Sequence, residues 1–147
     1  MPIDLDVESL LRAAGMKYSK EVAPDKGVEY SLPFDTPNGP VQVSVAVDEA
    51  FVAWAFLRCL DDLSIGSRVY YYRYLLNVNS FNGFARAFVW EVSKKSEWFG
   101  VTCQIPLQGI TPDSAAQAIF DLVGLANSAL DTLDKATKNS VSQHLTQ

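Results

Sequence analysis

Apolar residues first recur at Val7, Leu10, Leu11 and Ala14, the i, i+3, i+4, i+7 spacing of one helix face. Asp6 before them suits an N-cap and Gly15 after them a C′ position, which predicts a helix of about two and a half turns. A helix that short is marginal alone in water and must dock on something. Residues 19–28 are polar, hold Pro24 and Gly27, and read as a loop. The period then changes to two. Tyr30, Leu32 and Phe34 alternate with Glu29, Ser31 and Pro33, and Val41, Val43, Val45 and Val47 alternate with Gln42, Ser44 and Ala46. Between the two runs lies Thr36-Pro37-Asn38-Gly39-Pro40, whose Asn-Gly pair signals a hairpin.

After a turn at Asp48-Glu49-Ala50, residues 51–60 are apolar on both alternating sides. One side carries Val52, Trp54, Phe56 and Leu60, and the other Phe51, Ala53, Ala55, Leu57 and Cys59. A strand covered on both faces has this pattern, and a short buried helix competes with it. A turn at 61–66 follows, with Ser64 or Ser67 as the next N-cap. Val69, Tyr72, Leu75, Leu76 and Asn79 keep a helical period, Tyr70, Arg73, Tyr74 and Asn77 share another face, and residues 79–83 stop the helix.

A second hairpin follows. Phe84, Arg86, Phe88, Trp90 and Val92 lie on one side of its first strand, and Lys94-Lys95-Ser96-Glu97 forms the tip. Phe99, Val101, Cys103 and Ile105 then alternate with Trp98, Gly100, Thr102 and Gln104. Thr111-Pro112-Asp113 opens a last helix with N-cap, N1 proline and acidic first turn. Its stripe of Ala115, Ile119, Leu122, Val123, Ala126, Ala129, Leu130 and Leu133 predicts about twenty residues of helix, roughly 30 Å.

The order α-β-β-β-α-β-β-α predicts an α+β fold: a mainly antiparallel five-stranded sheet with helices on one face. Residues 1–134 form one domain, followed by a polar tail at 135–147. A chain of 147 residues, 48% hydrophobic, can bury an adequate core without metal or disulfide.

Charge and residue inventory narrow the function. A net charge of −5 argues against nucleic acid or an anionic membrane as main partner. The one histidine, His144, sits in the polar tail where nothing orients it. Cys59 and Cys103 read as free buried thiols, with a cross-strand disulfide as the alternative. Phosphate-cradling glycine loops, zinc-protease and nucleophile-elbow motifs are absent. The acidic groups Asp48-Glu49, Asp61-Asp62 and Asp4, Asp6, Glu8 suit turns and helix starts. No catalytic, metal or cofactor site is expected, and an enzyme is the weakest of three readings. The acidic start Met1-Pro2-Ile3-Asp4-Leu5-Asp6 is unlike a secretory signal, and the longest apolar run, 50–57, is far short of the ~20 residues of a membrane span. A soluble, cytoplasmic protein is the expectation.

Three local patterns resemble the type III secretion chaperone-like superfamily, which includes the YbjN-like and bacterial sensory-transduction-like proteins. They are Leu75-Leu76-Asn77-Val78-Asn79 closing the middle helix, Gly83-Phe84-Ala85-Arg86 opening the next strand, and Ile105-Pro106-Leu107-Gln108-Gly109-Ile110-Thr111 leading into the last helix. The resemblance implies a secretion chaperone-like fold, a homodimer and a role in holding another polypeptide. Tyr70-Tyr71-Tyr72 departs from that pattern.

Two surfaces are expected to bind. If each strand turns its bulkier side to the core, the opposite side collects Ser44, Ala46, Ala53, Ala55, Ala85, Ala87, Gly100 and Thr102. That is a shallow platform rimmed by Phe51, Leu57 and Trp98, suited to a client chain or a second copy, unless the small side chains merely face water. Tyr70 and Tyr74, with Arg73, offer a second surface on the middle helix. A face bearing Phe84, Arg86, Phe88 and Trp90 would suit single-stranded nucleic acid, but the net charge opposes it and that face is the better core. The leading expectation is a non-enzymatic, chaperone-like protein-binding homodimer. The alternative is a small-molecule-binding or regulatory domain with a pocket between sheet and last helix, lined by Trp54, Tyr72 and Trp90.

Overall fold

The period-two segments form a single antiparallel sheet, and the period-3.6 segments all pack on one side of it. The computed structural model describes residues 6–23, 27–79, 84–93 and 96–145. Its elements are α1 (Val7–Ala13), β1 (Ser19–Ala23), β2 (Gly27–Thr36), β3 (Gly39–Val47), β4 (Ala50–Cys59), α2 (Ile65–Val78), β5 (Ala85–Ser93), β6 (Ser96–Pro106) and α3 (Pro112–Leu145). The sheet order is β1-β2-β3-β4-β6-β5, so the second hairpin joins through β6 and leaves β5 as an edge. The class is α+β, as expected.

The described residues form six strands rather than five. The stretch read as a loop contains β1, which pairs antiparallel with β2 from Ser19 opposite Ser31 to Ala23 opposite Gly27. An edge strand with exposed Lys20, Glu21 and Val22 shows no buried side, so the hydrophobic pattern carries no signal of it. Asp4, residues 80–83, Lys94-Lys95 and the side chain of His144 lie outside the described residues.

The helix ends follow local chemistry. The Asp6 carboxylate accepts from the Ser9 N–H at 3.1 Å, and the Ser64 hydroxyl from the Ser67 N–H at 3.2 Å. Thr111 and Ser114 cap each other, Ser114 N–H to Thr111 Oγ1 at 3.1 Å and Thr111 N–H to Ser114 Oγ at 2.9 Å. α3 runs for 34 residues, beyond the expected twenty, because the apolar stripe continues past Leu133 to buried Ala136. No helix among the described residues is long and apolar enough to cross a membrane.

α3 lies across β2 to β6, with α1 and α2 beside it. The core beneath it joins Leu32, Val43, Phe51, Phe99 and Val101 to Ile119, Leu122, Ala126 and Ala129, all at most 1% exposed. Polar ties fix its direction. Arg58 pairs with Asp134, and Asn38 at the tip of the first hairpin donates to Asn127 Oδ1 at 2.8 Å. Cys103 stands opposite Ala53 while Cys59 stands opposite Trp98, about 20 Å apart along β4, which rules out the cross-strand disulfide. Burial pushes the Cys103 thiol up to about 11.

Candidate functional site

The face of the sheet turned away from the helices divides into two halves. Directly opposed residues in antiparallel strands share a face, so the register sets its rows. One row runs Ser31, Ser44, Trp54, Thr102, Arg86 from β2 to β5. The next places Phe56, Gly100 and Phe88 side by side, and beyond it Trp98 stands opposite Trp90. β4, β6 and β5 therefore present aromatic rings with a single arginine. β1, β2 and β3 present Glu21, Glu29, Asp35, Gln42 and serines on the same face.

The rings hold one another. Phe56 meets Phe88 edge-on at 5.7 Å and Trp90 at 5.1 Å. Gly100 makes this possible: a Cβ there would lie 2.6 Å from Phe88 Cζ and closer still to the Ala55 carbonyl oxygen. Phe56 and Trp90 remain 47% and 51% exposed.

This arrangement corrects the expected platform. Phe51, Ala53, Ala55, Ala85 and Ala87 are buried on the helix-covered side, whereas Ser44, Ala46, Gly100 and Thr102 belong to the open side. The small residues are small because α3, with its own Ala115, Ala118, Ala126 and Ala129, packs closely on them. Of the rim, Trp98 is on the open face and Leu57 packs against the core at an irregularity between Phe56 and Arg58. Gly100 is covered by the Phe88 ring. The face with Arg86, Phe88 and Trp90, assigned to the core, is open to solvent. Arg86, Thr102, Ser44 and Gln42 were the available signal, since a covered side would not carry them.

α2 is also rotated from its expected position. Its buried side is Tyr71 and Leu75, with Tyr74 and Val78 against the core, while Val69 and Leu76 are exposed. Tyr71 donates to the Ala129 carbonyl at 2.7 Å, and burial raises its pKa. Tyr74 stacks on Tyr71 at 5.7 Å, leaving Tyr70 as the exposed member of the expected pair. Trp54 and Trp90 lie on the open face and Tyr72 on α2, so these three do not line one pocket under α3.

A groove of about 470 Å³ lies between α2 and the edge strand β5, lined by Tyr72, Leu75, Leu76, Asn79, Val89 and Glu97 among others. Asn79 closes one part of it: its Nδ2 donates to the Ala87 carbonyl at 3.0 Å and its Oδ1 accepts from the Ala87 N–H at 2.6 Å. The Tyr72 hydroxyl donates to the Glu97 carboxylate. Burial, then that carboxylate, raises the Tyr72 pKa. At the neighbouring end of β4, hydrogen bonds from Cys59, the Glu97 N–H and Ser96 hold the Asp61 carboxyl below its usual range. No cluster of three metal-ligating side chains occurs among the described residues.

No family model matches the chain, and no curated protein sequence matches it. Among solved structures it is similar to YbjN from E. coli, described as a proposed transcription regulator. The similarity has a TM-score of 0.54 at 11% identity and covers 94% of this chain and 90% of that one. The chain has a YbjN-like fold.

Proposed function

We propose that the protein is a non-enzymatic, chaperone-like binding module that holds a segment of a partner polypeptide and works as a homodimer. The observation that carries this reading is the uncovered aromatic half-face of β4, β6 and β5. Aromatic residues and arginine are the side chains enriched at interfaces, and a contiguous exposed patch of them marks a contact surface. The chain exposes 9281 Å², against about 7,450 Å² for a compact monomer of 16.2 kDa. The length of α3, about 50 Å, accounts for part of the surplus. Ample surface remains for the roughly 800 Å² that each partner gives to a stable interface.

A second copy suits the aromatic half because like rings can stack across a two-fold axis. Nucleic acid does not suit it, since Arg86 stands beside a half-face bearing Glu21, Glu29 and Asp35. A cytoplasmic protein without cofactor or membrane contact belongs to the same proposal, as does the link to secretion chaperones, which the fold supports by likeness alone.

Light scattering across a concentration series tests the dimer. The wild-type chain should run as a dimer, and the Phe56→Ser, Trp90→Ser double variant as a folded monomer. A wild-type monomer at high concentration would refute the homodimer.

A further inference from the structure

We infer that the free edge of β5, together with the groove under α2, takes an extended basic segment of the partner polypeptide as a seventh strand. This rests on the reading of the protein as a holder of polypeptide, and it places the client away from the aromatic face.

The edge already shows what it can bind. In an antiparallel pair, alternate residues exchange both an N–H and a C=O bond with one partner residue. Asn79 gives Ala87 that same pair of bonds from a side chain, at 3.0 and 2.6 Å. The backbone polar groups of Ala87 therefore point away from β6. By the period of two, those of Val89 and Glu91 do so as well, and among the described residues no strand pairs with β5 on that side. Asn79 covers one rung and leaves those toward the hairpin tip for an incoming strand.

The helix beside the edge lacks something to cover. Ile65, Val69, Tyr72 and Leu76 are spaced four, three and four apart and form one apolar stripe on α2, of which Tyr72 and Leu76 line the groove. Ile65 is 85% exposed and Leu76 is 71% exposed. A strand added to β5 would turn alternate side chains toward Leu76 and Val89, in the mode of β-augmentation.

Charge selects the occupant. Glu91 and Glu97 are directly opposed across β5 and β6, on the side where Glu97 lines the groove. Like charges so placed destabilise a strand pair. Neither carboxylate has an ion-pair partner among the described residues. A Lys or Arg on the incoming strand would supply one. A second copy of this chain, at net −5, would bring an equally acidic edge instead.

Random linear peptides displayed on phage, selected on the protein, provide the test. Enriched sequences should alternate apolar residues with others and contain Lys or Arg. A synthetic peptide of the commonest sequence should bind at least about tenfold more weakly to Leu76→Glu and to Glu97→Gln. Val89→Pro removes one outward N–H and spares the ladder to β6, a change edge strands tolerate. It should abolish binding while circular dichroism and solution mass stay unchanged. Trp90→Ser should bind normally. Failure of any sequence to enrich, enrichment of acidic sequences, or binding that survives Val89→Pro would overturn the inference. Loss of binding in Trp90→Ser alone would move the client to the aromatic face and leave the holding role intact. Conversion of the dimer to monomer by Leu76→Glu would make the groove a contact between copies and also overturn the inference.

Discussion

The two faces of β4, β6 and β5 use the same strands for opposite purposes. Toward the helices they present Ala53, Ala55, Ala85, Ala87, Val101 and Cys103, at most 8% exposed. Away from the helices they present Trp54, Phe56, Phe88, Trp90 and Trp98, rings with no helix over them. Apart from Phe51, Phe99 and Ile105 in the core, the bulkier side chains of these strands therefore lie on the open side. Alanines on α3 meet alanines on the sheet, where the layers approach closely, while Phe51 and Phe99 are buried in the same core. The rings opposite rest on each other and on Gly100 instead.

The sharpest way to break this contrast is to place a polar side chain on each side. Ala55→Arg forces an unpaired guanidinium under α3 and should cost more than about 4 kcal/mol, enough to prevent folding. Trp90→Ser on the open side should cost within about 1 kcal/mol, the worth of its ring contacts, while weakening self-association. Far-ultraviolet circular dichroism of Ala55→Arg and the urea midpoint of Trp90→Ser measure the difference. Equal losses would mean that the open face is covered within the chain.

Gly100→Ala tests the one place where the faces share space. The added methyl would meet the Ala55 carbonyl, which is backbone and cannot swing aside, and would push the Phe88 ring off its seat. A loss of about 2–3 kcal/mol is expected, with altered near-ultraviolet circular dichroism from the aromatic cluster. A variant as stable as wild type would show that the ring does not rest on Gly100.

Legibility in the sequence followed the range of the interaction. The Asp6, Ser64 and Thr111 caps each act within three residues; Asp6 and Thr111 were readable outright, and Ser64 as one of two candidates with Ser67. The first hairpin was also local, closing from Thr36 to Gly39, where φ is +122°. Period two shows that a strand has two sides, but not which one a helix covers. Residues 51–60, apolar on both, gave no contrast to decide it. Tyr70-Tyr71-Tyr72 blurred the rotation of α2, because each ring can lie buried or exposed. Asn79 was visible as the end of a helix. Its hold on the edge of β5 was not, since that contact depends on where the hairpin lands in the sheet.

Smaller effects separate the buried and exposed titrating groups. Tyr71→Phe removes the bond to Ala129 and should cost about 1 kcal/mol at neutral pH. Burial raises the Tyr71 pKa, so its contribution is whole below the unfolded value of about 10 and fades as pH rises beyond it. Thermal midpoints of wild type should therefore fall faster above pH 10 than those of Tyr71→Phe. A residual slope should remain in the variant, because Tyr30 and Tyr72 are also raised.

Asp61 gives the smallest effect, with the opposite sign. Its carboxylate accepts from the Glu97 N–H at 3.1 Å, joining the end of β4 to β6 beside the groove. Hydrogen bonds from Cys59, that N–H and Ser96 lower its pKa. Its stabilisation is thus complete above the unfolded value of about 4 and is lost as pH falls through the lower folded value. Because the group is exposed, solvent screens the effect. Asp61→Asn should match wild type in the acid limit and be slightly less stable at neutral pH, so their melting curves against pH should converge on acidification. Curves that stay parallel would mean that the carboxylate charge contributes nothing, and that β4 and β6 are joined at this end by their ladder alone.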